Sequence, residues 1–384
     1  MNNFTFYAPT RLVFGKGTIG NLATLVPQNA RVLLAYGGGS IRKNGVYEQV
    51  KTALAGRTVF EFGGIQPNPL YETCMKTAEL GRRESVDFLL AVGGGSVLDG
   101  VKFIAAAMRL PAGDPWDILA KNAPVKSAVP LATVLTLPAT GSESNSFSVM
   151  SRESTKEKLA FSSEAVIPRF AILDPQTTFT LPARQTRNGV VDAFVHVMEQ
   201  YATCPVNTPL QDRQAEAILT TLVEEGPKVL ANPNDYDTRA NIMWCATQAL
   251  NTLIGCGVVQ DWATHMIGHE LTALYALDHA ETLAIVLPRL LRHQKKSKAA
   301  KLDQMAKRVW GVKARSQDAR IETGIARIVG FFESLGMPTH LSAYQIAPPD
   351  AAGKISRRFA DRGVVLGEHK DLTPDRVAAI LNDC

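Results

Sequence analysis

Two stretches of this sequence, RVLLAYGGGS at residues 31–40 and DFLLAVGGGS at 87–96, end an apolar run in three glycines and a serine and then enter residues with helical patterning. A strand that turns through glycine into a helix aims backbone N–H groups and the positive helix end at one point. A chain that does this twice is constrained to a sheet whose strands are covered by helices. The segments GVYEQVKTAL, TVFEF, YETCMKTAELGRRE and VLDGVKFIAAAM continue the alternation, and VPLATVLTLPAT and FAILDP add strands. Such alternation predicts a mostly parallel sheet.

After TLPARQT the alternation stops. Helical periodicity runs through 188–203, 211–231, 238–254, 261–276, 281–292, 298–309 and 316–335. A chain of 384 residues is too long for one ordinary core. The expected organisation is an α/β dinucleotide-binding domain over 1–184, followed by an all-helical domain over 185–384.

Composition narrows the function classes. Hydrophobic residues make up 46% and charged residues 20%, and no stretch approaches the roughly 20 uninterrupted apolar residues of a membrane helix. The start, MNNFTFYAPTRLVF, lacks a basic segment followed by an apolar one, so it does not read as a secretory signal and a cytoplasmic protein is expected. The five cysteines (Cys74, Cys204, Cys245, Cys256 and Cys384) are odd in number and never spaced C-x-x-C. That pattern argues against a disulfide framework and against a thiolate zinc site, leaving reduced, structural thiols. The net charge of +5 is scattered, and the run RHQKKSKAAK at 292–301 reads as a solvated helix end, not a nucleic-acid patch.

A literal G-x-G-x-x-G at Gly15–Gly20 is rejected as a dinucleotide fingerprint. The following helix can run only to Pro27, and the first acidic residue is Glu48. A turn leaving an N-terminal strand explains it better. The two GGGS segments, joined by LPATGSES with Thr140, Gly141 and Ser142, make three phosphate-binding candidates in one α/β domain. Together they favour a dinucleotide.

The helical half carries the metal-binding candidates. NGVVDAFVHVMEQYAT places Asp192 and His196 four residues apart on one helix face among apolar residues, where a carboxylate needs a partner. DWATHMIGHELTALYALDH repeats the spacing with His265 and His269 and adds His279. Imidazoles with one carboxylate suit zinc or ferrous iron better than magnesium or calcium. Five candidates for about four positions leave one histidine for chemistry, and spacing alone does not say which. His293, His340 and His369 read as surface or capping residues.

With these motifs the chain resembles, end to end, the iron-containing (group III) alcohol dehydrogenase family. The likeness runs from PTRLVFGKG through PNP at 67–69, GGGSVLDG, TGSE and the histidine helix, and FGGI, DAFVH and TQALN place it near the NADPH-dependent aldehyde reductases of the butanol dehydrogenase branch. The resemblance implies a dehydroquinate synthase-like architecture and a homodimer acting on small aldehydes and alcohols, with NADP(H) and one Fe2+ or Zn2+ ion. It implies Asp192, His196, His265 and His279 as ligands and His269 as the residue left for catalysis. It places Gly94, Gly95 and Ser96 on the pyrophosphate and Asp99 near the nicotinamide, with a catalytic part. Thr136, Pro138, Thr140 and Ser142 would surround the adenosine and its phosphates, and Lys158 would reach a ribose or phosphate oxygen. Gly37, Gly38, Gly39, Ser40 and Lys43, with Arg42 beside them, would receive the 2′-phosphate, since Gly38 stands where NAD-using relatives carry aspartate. Ala280 follows His279 where many members have glycine. A glycerol dehydrogenase or dehydroquinate synthase-like enzyme shares the architecture, and a non-catalytic NADP(H)- and metal-binding sensor is the alternative of another class.

Overall fold

The computed structural model describes residues Met1–Cys384. Eight strands form, β1 Arg11–Phe14, β2 Arg31–Tyr36, β3 Thr58–Gly63, β4 Phe88–Gly94, β5 Leu131–Leu137, β6 Phe147–Arg152, β7 Glu157–Ser162 and β8 Phe170–Leu173. The helices of the first half are α1 Leu22–Leu25, α2 Ser40–Lys43, α3 Val46–Ala53, α4 Tyr71–Arg83, α5 Gly95–Arg109 and α6 Asp117–Ala120. The second half has α7 Ala183–Tyr201, α8 Pro209–Ala231, α9 Tyr236–Ala249, α10 Ala263–Tyr275, α11 His279–His293, α12 Ala299–Arg308, α13 Gln317–Ser334, α14 Pro348–Asp361 and α15 Pro374–Asn382.

Six strands make one sheet in the order β1-β8-β5-β4-β2-β3, every pair parallel. The continuous apolar runs of β2 and β4 are explained by burial on both faces, as parallel sheets require. Leu33, Ala35, Leu89 and Ala91 pack on one side with α5 residues such as Val101 and Ile104. Val32, Leu34, Leu90 and Val92 pack on the other with Val46 and Val50 of α3. The sheet reverses its winding between β2 and β4, and the register Tyr36 opposite Val92 sets the ends of these two strands side by side. β6 and β7 form a separate antiparallel hairpin that the alternation of the sequence did not announce.

The segment Gly15–Gly20 leaves β1 as a turn. Gly15 N donates to Leu173 O and Gly17 N to Asp174 Oδ2, and α1 stops within one turn.

Two compact units emerge, and a single cut in the chain does not separate them. One comprises Tyr7–Pro182 with Pro233–Thr247, the other Met1–Phe6, Ala183–Asn232 and Gln248–Cys384. Side-chain chemistry draws the 233–247 segment into the α/β unit. Met243 joins the core beside α5, Trp244 packs edge-on to Phe14 with centroids 5.8 Å apart, and Thr247 Oγ1 donates to Glu143 Oε1 at 2.6 Å. In the other unit Asn2 N donates to Gly257 O. The helices α10, α11, α14 and α15 share a core that includes Ile267, Leu271, Ile285, Ile355 and Ile380.

Candidate metal centre and coenzyme crevice

α7 is buried from Gly189 to Tyr201, so Asp192 and His196 lie in the interior of the helical unit. α10 supplies His265 and His269, both buried. An Asp278/Glu281 capping box starts α11 at His279 and fixes that residue at the first helical position. The five side chains meet. Asp192 Oδ1 lies 3.6 Å from His196 Nδ1, 3.7 Å from His265 Nε2 and 3.7 Å from His279 Nε2. Two ligands about 2.1 Å from a tetrahedral ion stand roughly 3.4 Å apart, so this spacing is that of donors around a common centre. His265 Nε2 is buried without a hydrogen bond, as a nitrogen meant for a metal is. The rings of His196 and His265 stack at 4.6 Å, and His269 lies against His279 with centroids 5.3 Å apart. The donor set of three imidazoles and one carboxylate fits Fe2+ or Zn2+.

Glu199, one helical turn beyond His196, was not singled out in the sequence. Its Oε2 meets His265 Nδ1, and its Oε1 accepts from Thr264 N at 2.7 Å and His265 N at 3.3 Å. This contact holds the His265 ring so that Nε2 faces the other donors. Burial works to lower the pKa of His265, but the Glu199 and Asp192 carboxylates outweigh it and raise it to about 9. The pocket thus favours positive charge.

In the α/β unit, the segments after β2, β4 and β5 leave the carboxyl ends of adjacent parallel strands, flanking the point where the sheet reverses. That is where open α/β sheets bind ligands. Gly37–Gly39 lead from β2 into the single turn α2, and Gly94 passes directly into α5. Thr136 and Pro138 stand at the end of β5, and Thr140 Oγ1 accepts from Ser142 N at 3.2 Å. Ser96 Oγ accepts from Asn68 N at 3.2 Å, while Lys158 Nζ donates to Asn68 Oδ1 at 2.9 Å, bringing Lys158 beside the second glycine run.

Asp99 is buried in α5. Its Oδ1 accepts from Ser142 Oγ at 2.6 Å and its Oδ2 from Val149 N at 3.0 Å. These bonds tie α5 to the 142–149 segment. Lys102, one turn on, is buried and donates to Asn145 O, Asn145 Oδ1 and Phe147 O at 2.8–3.0 Å. Burial lowers its pKa to about 8 against the pull of Asp99 and Glu143. The sequence reading missed this lysine, whose only signal was its position within an otherwise apolar helix.

Arg42 and Lys43 are both exposed, and the Arg42 guanidinium lies 4.1 Å from the Tyr47 ring centre and pairs with Glu61 at 2.9 Å.

The basic run at 292–301 is only in part the expected solvated helix end: Arg292, His293 and Lys296 are exposed, but two lysines are not. Lys298 is 2% exposed and bonds Ala202 O, Asp261 Oδ2 and Glu368 Oε1, and Lys301 pairs with Asp212. Buried ammonium groups need partners, and carboxylates far away in sequence supply them.

Comparison with known proteins places these features in context. The family described as iron-containing alcohol dehydrogenase matches residues 9–175, and the C-terminal part of the Fe-containing alcohol dehydrogenase family matches 186–384. The NADPH-dependent aldehyde reductase YqhD of Escherichia coli K12 is 57% identical, over 98% of this chain and 97% of its own. The probable NADH-dependent butanol dehydrogenase 1 of Bacillus subtilis 168 is 43% identical over 99% of each chain. The crystal structure of E. coli YqhD superposes with a TM-score of 0.98 at 55% identity, covering 100% of this chain and 99% of that one.

Proposed function

This chain belongs to the iron-containing alcohol dehydrogenase family, and we propose that it transfers a hydride reversibly from NADPH to short-chain aldehydes, giving primary alcohols. The observation that carries this reading is the convergence of Asp192 with three imidazole nitrogens at 3.6–3.7 Å. Asp192, His196, His265 and His279 would hold one divalent ion, iron or zinc. When bound, such an ion supplies Lewis acidity toward the carbonyl oxygen, worth several kcal/mol. Glu199 keeps His265 in the ligating orientation. His269, buried beside His279, would hold the proton that the alkoxide oxygen receives.

The coenzyme half follows from the strand ends. Gly94, Gly95 and Ser96 would take the pyrophosphate at the start of α5. Thr136, Pro138, Thr140 and Ser142 would line the adenosine side, with Lys158 reaching an oxygen. Asp99 would stand near the nicotinamide, and with its oxygens engaged by Ser142 Oγ and Val149 N it acts as a positioning residue for the 142–149 segment. The 2′-phosphate would lie at Gly37–Ser40 with Lys43. No acid stands in that run, which favours NADPH over NADH. The reading includes a homodimer in the cytoplasm. Exposed Phe14 on the edge strand β1 and exposed Phe4 and Phe6 supply apolar surface for a partner copy, and no helix is long and apolar enough to cross a membrane.

The test is turnover of an aldehyde panel with NADPH and with NADH on protein of measured metal content. Chelation or Asp192→Ala should remove metal and lower aldehyde reduction at least about a hundredfold while NADPH binding survives. His269→Ala should keep the metal and lose about 10²–10⁴ in rate. Undiminished turnover in verified metal-free protein overturns the Lewis-acid role. NADPH binding without oxidation by any aldehyde would favour the sensor.

A further inference from the structure

The helical unit holds a second group of metal-ligating side chains. Cys204, three residues after α7, meets Glu368 and His369, and one ligand atom from each lies within 4.8 Å of the others. From these contacts we infer a second, thiolate-containing site for a zinc-class cation, formed by Cys204, Glu368 and His369.

The backbone presents the three residues firmly. Leu366 and Leu372 exchange two backbone hydrogen bonds at 3.0 Å, and Lys370 N donates to Gly367 O at 3.0 Å, so Glu368 and His369 occupy the tip of a closed turn. Gly367 has φ +86°, a conformation that favours glycine. Cys204 N donates to Glu368 Oε2 at 2.7 Å, which docks the turn beside the end of α7.

Charge gives an independent argument. Glu368 and Asp261 share the single Lys298 ammonium, at 2.8 and 2.9 Å, and all three side chains are at most 3% exposed. Two carboxylates against one ammonium leave one negative charge in a desolvated place, and the adjoining groups are a thiol and an imidazole. Burial, together with the neighbouring Glu368 carboxylate, raises the pKa of the Cys204 thiol. A divalent cation resolves the imbalance. It replaces the thiol proton, which leaves to solvent, and binds the sulfur as thiolate. Sulfur, imidazole nitrogen and one carboxylate oxygen, with water as the fourth ligand, suit zinc far better than magnesium or calcium. Exposed His369 leaves the site open to ions from solution. The absence of a C-x-x-C spacing hid the site, because its ligands lie on segments far apart in sequence.

The experiment adds Co2+ to holoenzyme whose first site is already filled, then removes unbound ion by gel filtration. Wild type should retain one further equivalent and show a near-ultraviolet sulfur-to-cobalt charge-transfer band. Zinc should displace the cobalt, abolish the band and raise the thermal midpoint. Cys204→Ser should lose both the band and the extra equivalent while retaining aldehyde reduction. His369→Ala, at an exposed position with no load on the core, should lose the extra equivalent and the zinc-dependent rise in midpoint. No extra equivalent in wild type overturns the proposal. So does an extra equivalent retained by both variants, or a band that survives Cys204→Ser.

Discussion

The glycine run after β2 and the run after β4 share four letters and differ in why those letters are there. After β4 the glycines are required by packing. A Cβ at Gly94 would lie 2.8 Å from Leu137 Cβ, an atom fixed to the neighbouring strand, and one at Gly93 would lie 2.5 Å from Val97 Cγ2. After β2 the surroundings are open. That holds past Gly37, where a Cβ would lie 3.3 Å from Ile65 O: nothing lies within 4 Å of a Cβ at Gly38 or Gly39, and Gly39, at φ +91°, needs glycine for its backbone. The second run is built into the sheet and lets α5 begin at once. The first is a shallow turn whose character comes from the groups around it. A repeated motif can thus serve one coenzyme through a fixed cradle and an adjustable edge.

Three changes test this contrast. The broadest effect belongs to Gly94→Ala, which should cost about 1–3 kcal/mol of stability through overpacking and weaken use of both coenzymes, read by thermal melts and by KM for NADPH and NADH. A stable variant with normal KM values would remove the distinction between the runs. Next comes Gly38→Asp. A carboxylate about 4 Å from the 2′-phosphate, at an effective dielectric near 20, costs on the order of 4 kcal/mol before screening. NADPH use should fall by roughly two orders of magnitude more than NADH use, with metal content and melting point unchanged. Gly38→Ala is the control and should move stability by less than about 0.5 kcal/mol. Equal losses with both coenzymes would show that this run serves only the fold.

Apart from that control, the smallest effect concerns Glu61 on β3, which gathers Arg42, Lys51 and the Tyr47 hydroxyl beside the first run. Burial works to raise its pKa, but the Lys51 and Tyr47 hydrogen bonds and the nearby positive charges hold it below the ordinary 4.5. A lowered folded pKa means that stability is present above the ordinary value and lost as pH falls through the folded one. Glu61→Gln should therefore cost under about 1 kcal/mol at neutral pH, and the gap from wild type should close in acid melts. A gap that persists in acid would mean that packing, not charge, holds this edge together.

Much of the molecule was readable before its structure. Apolar runs ending in glycine marked β2 and β4, and i, i+4 spacing with burial marked Asp192, His196, His265 and His269 as one neighbourhood. What escaped shares a cause. Glu199 meets a histidine on another helix, Lys298 meets carboxylates from two other segments, and Cys204 meets a turn near the far end of the chain. Local periodicity says that a polar group is buried but not which distant residue satisfies it. Glu199 had the better signal, since a carboxylate one turn after His196 in an apolar helix already required a partner. The β6–β7 hairpin escaped because its alternating residues are mixed in character and lie outside the strand–helix rhythm.

The interleaved path of the chain has a consequence for biosynthesis. Residues 233–247 complete the core beside α5, yet α7 and α8 precede them. A ribosome therefore delivers the whole parallel sheet, and then two long helices of the other unit, before the last piece of the first core emerges. Domains generally fold as units during synthesis, but here the nascent sheet must persist with that side of its core unfilled. Fragments ending near residue 182 should be more prone to chaperone capture than the full-length chain.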